Sequence, residues 1–374
     1  MFTPSRLALA RKRRGLTLVD LARQVDLTAQ SLSNMECGRQ EPSAANLRRL
    51  TTVLGFPISF FGEPDIDELT AVQVSFRART KMPARAREAV LSAARLVVEV
   101  HSWIDSQFKL PDVDIPTLDR TMAPEVAAEH VRARWNLGNL SPIANMVHLL
   151  ESRGVTVYSI PPEYADIDAF SFWWRGRPFV ILNTMKSAER GRFDAAHELA
   201  HLVLHKDNVG TEDVRAMEKE ANMFAATLLM PTASINRHCP KNPTTDQIIR
   251  LKHQWKVAAL ALTYRLHEVG QLTDWNYRRS VIELGRMGYK TAEPGGASRE
   301  TSQLLQKVLN SLRGSRVSFS DLSRKLHLTT DELNGYLFRL ALTPVTGSGS
   351  SASKRTQSTG LRLVSNDEKT AISK

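Results

Sequence analysis

Residues 192–205 read RFDAAHELAHLVLH, two histidines four positions apart with a glutamate directly after the first. In an α-helix, positions i and i+4 stand on one face, so His197 and His201 present both imidazoles to one point. Glu198 lies about 100° around the axis from His197, beside that point but badly placed to be a third ligand. Leu199 and Ala200 between the histidines are compatible with a helix, with neither glycine nor proline to break it. An ordinary buried helix that happens to contain histidines also fits this pattern. The H-E-x-x-H arrangement favours a zinc peptidase. There the ion lowers the pKa of a water molecule and polarises a peptide carbonyl, Glu198 takes the water's proton for the attack, and the same glutamate passes a proton to the leaving amine. The β-rich run PFVILN just ahead of the helix reads as an exposed strand along which an extended substrate pairs.

Such a site needs a third ligand. The helical segment EKEANMFAATLLMP offers Glu218 and Glu220, two positions apart and therefore facing different ways. Glu220 shares a face with Phe224 and Thr227, and a carboxylate buried beside Ala221, Phe224, Ala225 and Leu228 needs a partner such as zinc. Glu218, about 200° away, reads as the more solvated of the two. Glu220 is the expected ligand and Glu218 the second choice. His205 lies four residues beyond His201, but the eight residues from His197 span about 12 Å of helix, so it reads as a supporting residue or a helix-terminal cap. Asn222 and Asp194 can orient a histidine ring or cap a turn. Zinc is the expected ion by affinity order, and manganese also suits two histidines and a carboxylate.

The chain opens on a different pattern. Thr17 and Asp20 have capping-box spacing for a helix from 17 to about 24, Asp26-Leu27 make a turn, and Thr28 can cap AQSLSNMECG. Two short helices joined by a tight turn have helix-turn-helix geometry. On the second helix Leu32 and Met35 face inward, while Gln30, Ser31, Ser33 and Asn34 offer polar side chains to base edges, where glutamine or asparagine can pair with adenine. With Thr28 and Arg39 they form the expected contact set for double-stranded DNA, and Arg11, Lys12, Arg13 and Arg14 are candidate phosphate contacts. Residues 1–62 carry nine Lys and Arg against four Asp and Glu, a local +5 that supports attraction to nucleic acid. A small helical protein-interaction module is the alternative.

The 374 residues, with a formal charge of +11, allow two or three domains. The expected architecture is mostly α and multidomain: a five-helix helix-turn-helix domain at 1–64, a linker helix region at 65–110, an α+β zincin-like peptidase domain with a small sheet at 111–290, a small helical unit at 298–344, and a disordered low-complexity tail at 345–374. Within it, GVTVYSI and RPFVILN read as strands separated by the aromatic-rich stretch DAFSFWWRG, and the histidine-bearing helix reads as 193–205. Arg77, Arg79, Lys81, Arg85 and Arg87 make a basic cluster, read first as a solvated helix start. Thr329 and Glu332 have capping-box spacing in the last unit. Cys37 and Cys239 are the only cysteines, which fits a reducing cytoplasm better than a disulfide framework. No signal-peptide pattern opens the chain, and runs such as AALALTY are too short to span a bilayer, so no membrane partner is expected.

Two resemblances sharpen these readings. Gly15, Glu36, Gly38 and Pro42 match the pattern of the phage-repressor (XRE/Cro-like) helix-turn-helix family, which implies a homodimer on an inverted-repeat operator. The segment ILNTMKSAERGRFDAAHELAHLVLH, followed by EKEANMFAATLLMP, resembles the ImmA/IrrE metallopeptidase family, with a looser likeness from about 76 to 288. That resemblance implies zinc on His197, His201 and Glu220, with Glu198 catalytic. It also implies narrow proteolysis of a cognate helix-turn-helix repressor in stress, prophage or toxin-antitoxin control. The expected protein is thus a cytoplasmic transcription regulator carrying a zinc metalloendopeptidase. The alternative is a DNA-binding regulator whose metal site is structural or sensory.

Overall fold

The computed structural model describes residues 2–66, 69, 74–76, 83–119, 121–206 and 213–342. Pro4 opens α1 (Pro4–Arg13), where its fixed φ suits the first helical position. Thr17 and Asp20 close a full capping box ahead of α2 (Leu18–Val25), which Asp26 ends in the left-handed region at φ 53°. Thr28 caps α3 (Ala29–Glu36) through the Ser31 amide, and Ser43 caps α4 (Ala44–Leu54). A 3-10 turn, Ile58–Gly62, completes five helical elements around Leu7, Leu21, Leu32, Leu50 and Phe60, all fully buried.

Next come β1 (Val74–Phe76), α5 (Ala84–Gln107), α6 (Pro124–Arg134), α7 (Met146–Ser152), β2 (Thr156–Ser159), β3 (Phe170–Trp174) and β4 (Arg177–Leu182). The sheet order is β1-β3-β4-β2, antiparallel except for the β2–β4 pair. DAFSFWWRG is itself strand β3, joined to β4 by a two-residue turn in which Arg175 and Gly176 both have positive φ, the turn whose twist suits a hairpin. The run PFVILN is not an exposed strand: β4 is paired on both sides, and its near-continuous apolar sequence is what an interior strand requires. The stretch 65–110 is also more than a spacer, since it supplies β1 to the sheet and buries Leu96, Val97, Val100 and Ile104 of α5.

Helix α8 (Ala188–Leu204) begins five residues before the expected start at 193, because Ser187 caps it through the Arg190 amide. It packs against β3 and β4 and against α9 (Val214–Leu229), which α6 covers from the other side. There follow α10 (Thr232–His238), α11 (Thr245–Trp255), α12 (Ala259–Glu268) and α13 (Asp274–Arg286). The chain of described residues closes with α14 (Gln303–Gly314), α15 (Phe319–Lys325) and α16 (Thr330–Leu337).

These last three helices are built into the body. Glu300 accepts from the Met146 and Val147 amides at the start of α7, at 2.7 and 3.2 Å. Glu151, in that same α7, accepts from the Gln303 and Leu304 amides at the start of α14, both at 3.0 Å. Each carboxylate thus satisfies amide groups that the other helix leaves open at its N-terminus. Thr329 caps α16, but Glu332 does not close the box. Its carboxylate meets Arg13 Nε at 2.6 Å and Arg14 Nη1 at 2.7 Å, joining the C-terminal helices to α1. One apolar cluster runs from Leu7 to Leu340. The expected tail at 345–374 and Arg77, Arg79 and Lys81 lie outside the described residues. Among the described residues no helix is long and apolar enough to cross a membrane.

Candidate metal centre

Helix α8 is held from its N-terminal half by Arg192, buried, which donates to the Trp255 carbonyl at 3.1 Å and also reaches Glu300 and the Ile143 carbonyl. One turn further on, His197 and His201 are both buried, and their Nε2 atoms face each other at 3.1 Å. Glu218 of α9 completes the triangle, with its two oxygens 3.4 Å from His197 Nε2 and 3.4 Å from His201 Nε2. Donor atoms spread tetrahedrally around a zinc ion at ordinary bond lengths lie about 3.3 Å apart, so the spacing fits. His197, His201 and Glu218 form a cluster of side chains able to hold a metal ion.

The outer nitrogens of both rings are also engaged. His197 Nδ1 lies 3.1 Å from Asn222 Oδ1, and His201 Nδ1 lies 2.9 Å from His205 Nδ1, whose Nε2 reaches Glu220 at 2.9 Å. With each ligand ring donating through Nδ1, both Nε2 lone pairs point at one spot, an arrangement that a cation relieves. His205 then accepts at Nδ1 and donates at Nε2 to the Glu220 carboxylate. Burial pushes the Glu218 carboxyl up; in the form of the two rings that carries a proton at Nε2, hydrogen bonding and charge from His197 and His201 outweigh it and hold the group below the usual carboxylate range.

Glu220, expected as the third ligand, is not brought to the histidine pair. It is half exposed and sits behind His205. The sequence pattern puts Phe224 on the inward face of α9, whereas the residues that meet the α8 histidines are Glu218 and Asn222, four apart on one face. Asn222 carried the signal: a residue that orients a histidine ring brings the residue four before it, Glu218, to the same face.

Glu198 is buried, and its Oε2 accepts from Ser171 Oγ at 2.7 Å. Ser171 was missed in the sequence because DAFSFWWRG had no strand assignment; as the small polar residue between Phe170 and Phe172 it is the one that β3 turns toward α8. Trp173, in the same strand, lies under the Lys206 ammonium at 4.2 Å.

In the N-terminal domain, Thr28, Gln30 and Arg39 are exposed, and Ser31, Ser33 and Asn34 partly so, all on or flanking α3. Gln30 Nε2 donates to Asn34 Oδ1 at 3.2 Å, so the two amides form one polar edge. The expected phosphate contacts fare differently. Arg11 pairs with Glu36 at 2.6 Å, Lys12 with Glu88 at 2.9 Å, Arg14 with Glu332, and Arg13 is fully buried between Glu332 and Glu163. The RKRR run is therefore largely an internal and interdomain ion-pair series; a count of basic residues does not show where their partners lie.

Residues 5–59 match the family model described as a helix-turn-helix domain. Residues 150–267, from the end of α7 to α12 and including His197, Glu198, His201 and Glu218, match a peptidase family model described as the IrrE N-terminal-like domain. Among curated proteins none matches the chain.

Proposed function

For a chain that joins a helix-turn-helix domain to an IrrE N-terminal-like peptidase-family domain, we propose a DNA-binding transcription regulator that is also a zinc-dependent endopeptidase, cutting a repressor-like protein in stress, prophage or toxin-antitoxin control. The observation that carries this reading is the convergence of His197 Nε2, His201 Nε2 and Glu218 beside a buried Glu198. His197, His201 and Glu218 would hold the ion. When bound it supplies Lewis acidity to the attacking water and to the scissile carbonyl. Glu198, fixed by the Ser171 hydroxyl, takes the proton of that water and returns it to the leaving amine. Asn222, and His205 backed by Glu220, keep the two histidine rings in the tautomer that frees Nε2. A purely structural metal site has no need of a base beside its ligands.

The test is a comparison of protein N-termini in cells expressing the wild-type chain or Glu198→Gln. A new terminus inside a helix-turn-helix protein, present only with the wild type, is the expected result. Identical sets of termini in both would leave the site without a proteolytic role.

The DNA reading places a dimer on an inverted repeat with the N-terminal half of α3 at the base edges. Gln30→Ala is expected to cost about 1–3 kcal/mol of discrimination at one base position while leaving the salt dependence of binding unchanged. Uniform weakening across sequences with a shallower salt slope would make Gln30 a backbone contact.

A further inference from the structure

A cleft of about 1080 Å³ opens beside Glu218 and Asn222 and runs across α8 and α12 to residues 289–293. Its lining includes Phe193, Met223, Leu260 and Tyr264, and Tyr264 leaves 55% of its surface in water. An aromatic so exposed in a concave apolar surface is placed for a ligand.

The charges at the rim are unevenly matched. Of the four lining carboxylates, Glu268 pairs with Arg265 at 2.5 Å and Glu293 with Lys252 at 2.7 Å, Glu189 accepts from the Ala297 amide at 2.6 Å, and Glu218 faces His197 and His201. Lys186 pairs with Asp168 and Arg190 with Asp194. Arg215, Lys219 and Lys290 are exposed, line the cleft, and have no carboxylate partner among the described residues. The cleft therefore combines an apolar floor with three exposed cations that no carboxylate among the described residues pairs with.

We propose that this cleft takes an amphipathic segment of the substrate protein, with apolar side chains flanked by aspartates or glutamates. The inference rests on the reading of His197, His201 and Glu218 as a peptidase centre, because the cleft leads to Glu218. The apolar groups bury against Phe193, Met223, Leu260 and Tyr264, while the flanking carboxylates meet Arg215, Lys219 and Lys290. Complementary charge of this kind selects among partners more than it adds raw affinity. The occupant is a peptide segment rather than a nucleic acid, because the floor of Phe193, Met223 and Leu260 buries apolar side chains and offers no hydrogen-bonding group to a base edge, and DNA competition is an arm of the test.

The test uses the full-length Glu198→Gln protein and two fluorescent synthetic peptides with the same leucine-rich centre, one flanked by glutamates and one by lysines. Anisotropy titrations should show the glutamate peptide binding about tenfold more tightly. Combining Arg215→Gln, Lys219→Gln and Lys290→Gln should remove that preference, and Tyr264→Ala should weaken both peptides. Equal affinity for the two peptides, or a preference that survives the triple substitution, would overturn the proposal. So would displacement of the glutamate peptide by a DNA oligonucleotide that no longer binds the triple variant. Binding is read without turnover. A wild-type protein that neither holds metal nor cuts removes the peptidase reading and leaves this result standing; a protein that cuts without the charge preference removes this inference alone.

Discussion

Glu198→Gln is expected to retain the metal and the DNA contacts and to lower the proposed peptide cleavage by about 10²–10⁴-fold, the usual contribution of a positioned acid–base group. The amide keeps the shape of the carboxylate and can still accept from Ser171 Oγ, so the buried surroundings of residue 198 change little. What it loses is the capacity to take a proton from the attacking water and return it to the leaving amine. His197, His201 and Glu218 are untouched, and α3 lies in another domain, so metal content and operator binding serve as internal controls. Cleavage at the wild-type rate in the variant, with contaminating protease excluded, would remove Glu198 from the mechanism.

The second large effect is on stability. Glu332→Ala should destabilise the protein by about 3–5 kcal/mol, because it leaves a buried cation without its main counter-charge. Arg13 is 1% exposed and Glu332 4% exposed, and the carboxylate also accepts from Tyr336 Oη at 2.5 Å. After the substitution Glu163, whose own side chain is half exposed, is the one carboxylate Arg13 keeps among the described residues. The urea midpoint should fall, and the N-terminal domain should become more open to limited proteolysis, since the Tyr164 hydroxyl bond to the Arg13 carbonyl would carry more of the remaining junction. An unchanged midpoint would mean that the pair contributes no more than an exposed one.

The same pair sets a pH dependence. Burial pushes the Glu332 carboxyl up, but the charges of Arg13 and Arg14 outweigh it and hold the group below its ordinary value of 4.5. The folded state therefore binds this proton less readily than the unfolded chain. Its contribution is fully present above the ordinary glutamate range and is lost as pH falls through the lower folded value. In the Glu332→Ala protein that part of the acid transition should be missing.

Local signals in the sequence located the helices well. Thr17 with Asp20, Thr28 and Thr329 each cap the helix that follows them. The i, i+4 histidines of α8 meet at one point because that relation belongs to a single helix. Relations between elements were harder to read. Which glutamate of α9 faces α8 depends on how two helices cross, and the apolar face of α9 is broad enough to carry either. The interior position of β4 follows from pairing with β3 and β2, and β3 was obscured by an aromatic run with little alternation. The fate of Arg13 was set by Glu332, more than three hundred residues away in the chain, a distance at which composition and periodicity carry no information.

His197, His201 and Glu218 are proposed to hold one ion. Elemental analysis of the purified wild type without added zinc should give about one equivalent per chain, as three protein ligands and an open position require. His201→Ala and Glu218→Ala should each lose it. Glu220→Ala should keep it with affinity weakened by about 10–100-fold, because Glu220 acts through His205 on the ring of His201. A wild-type protein that takes up no metal even on reconstitution would contradict the account, as would one in which Glu220→Ala loses the ion and Glu218→Ala retains it.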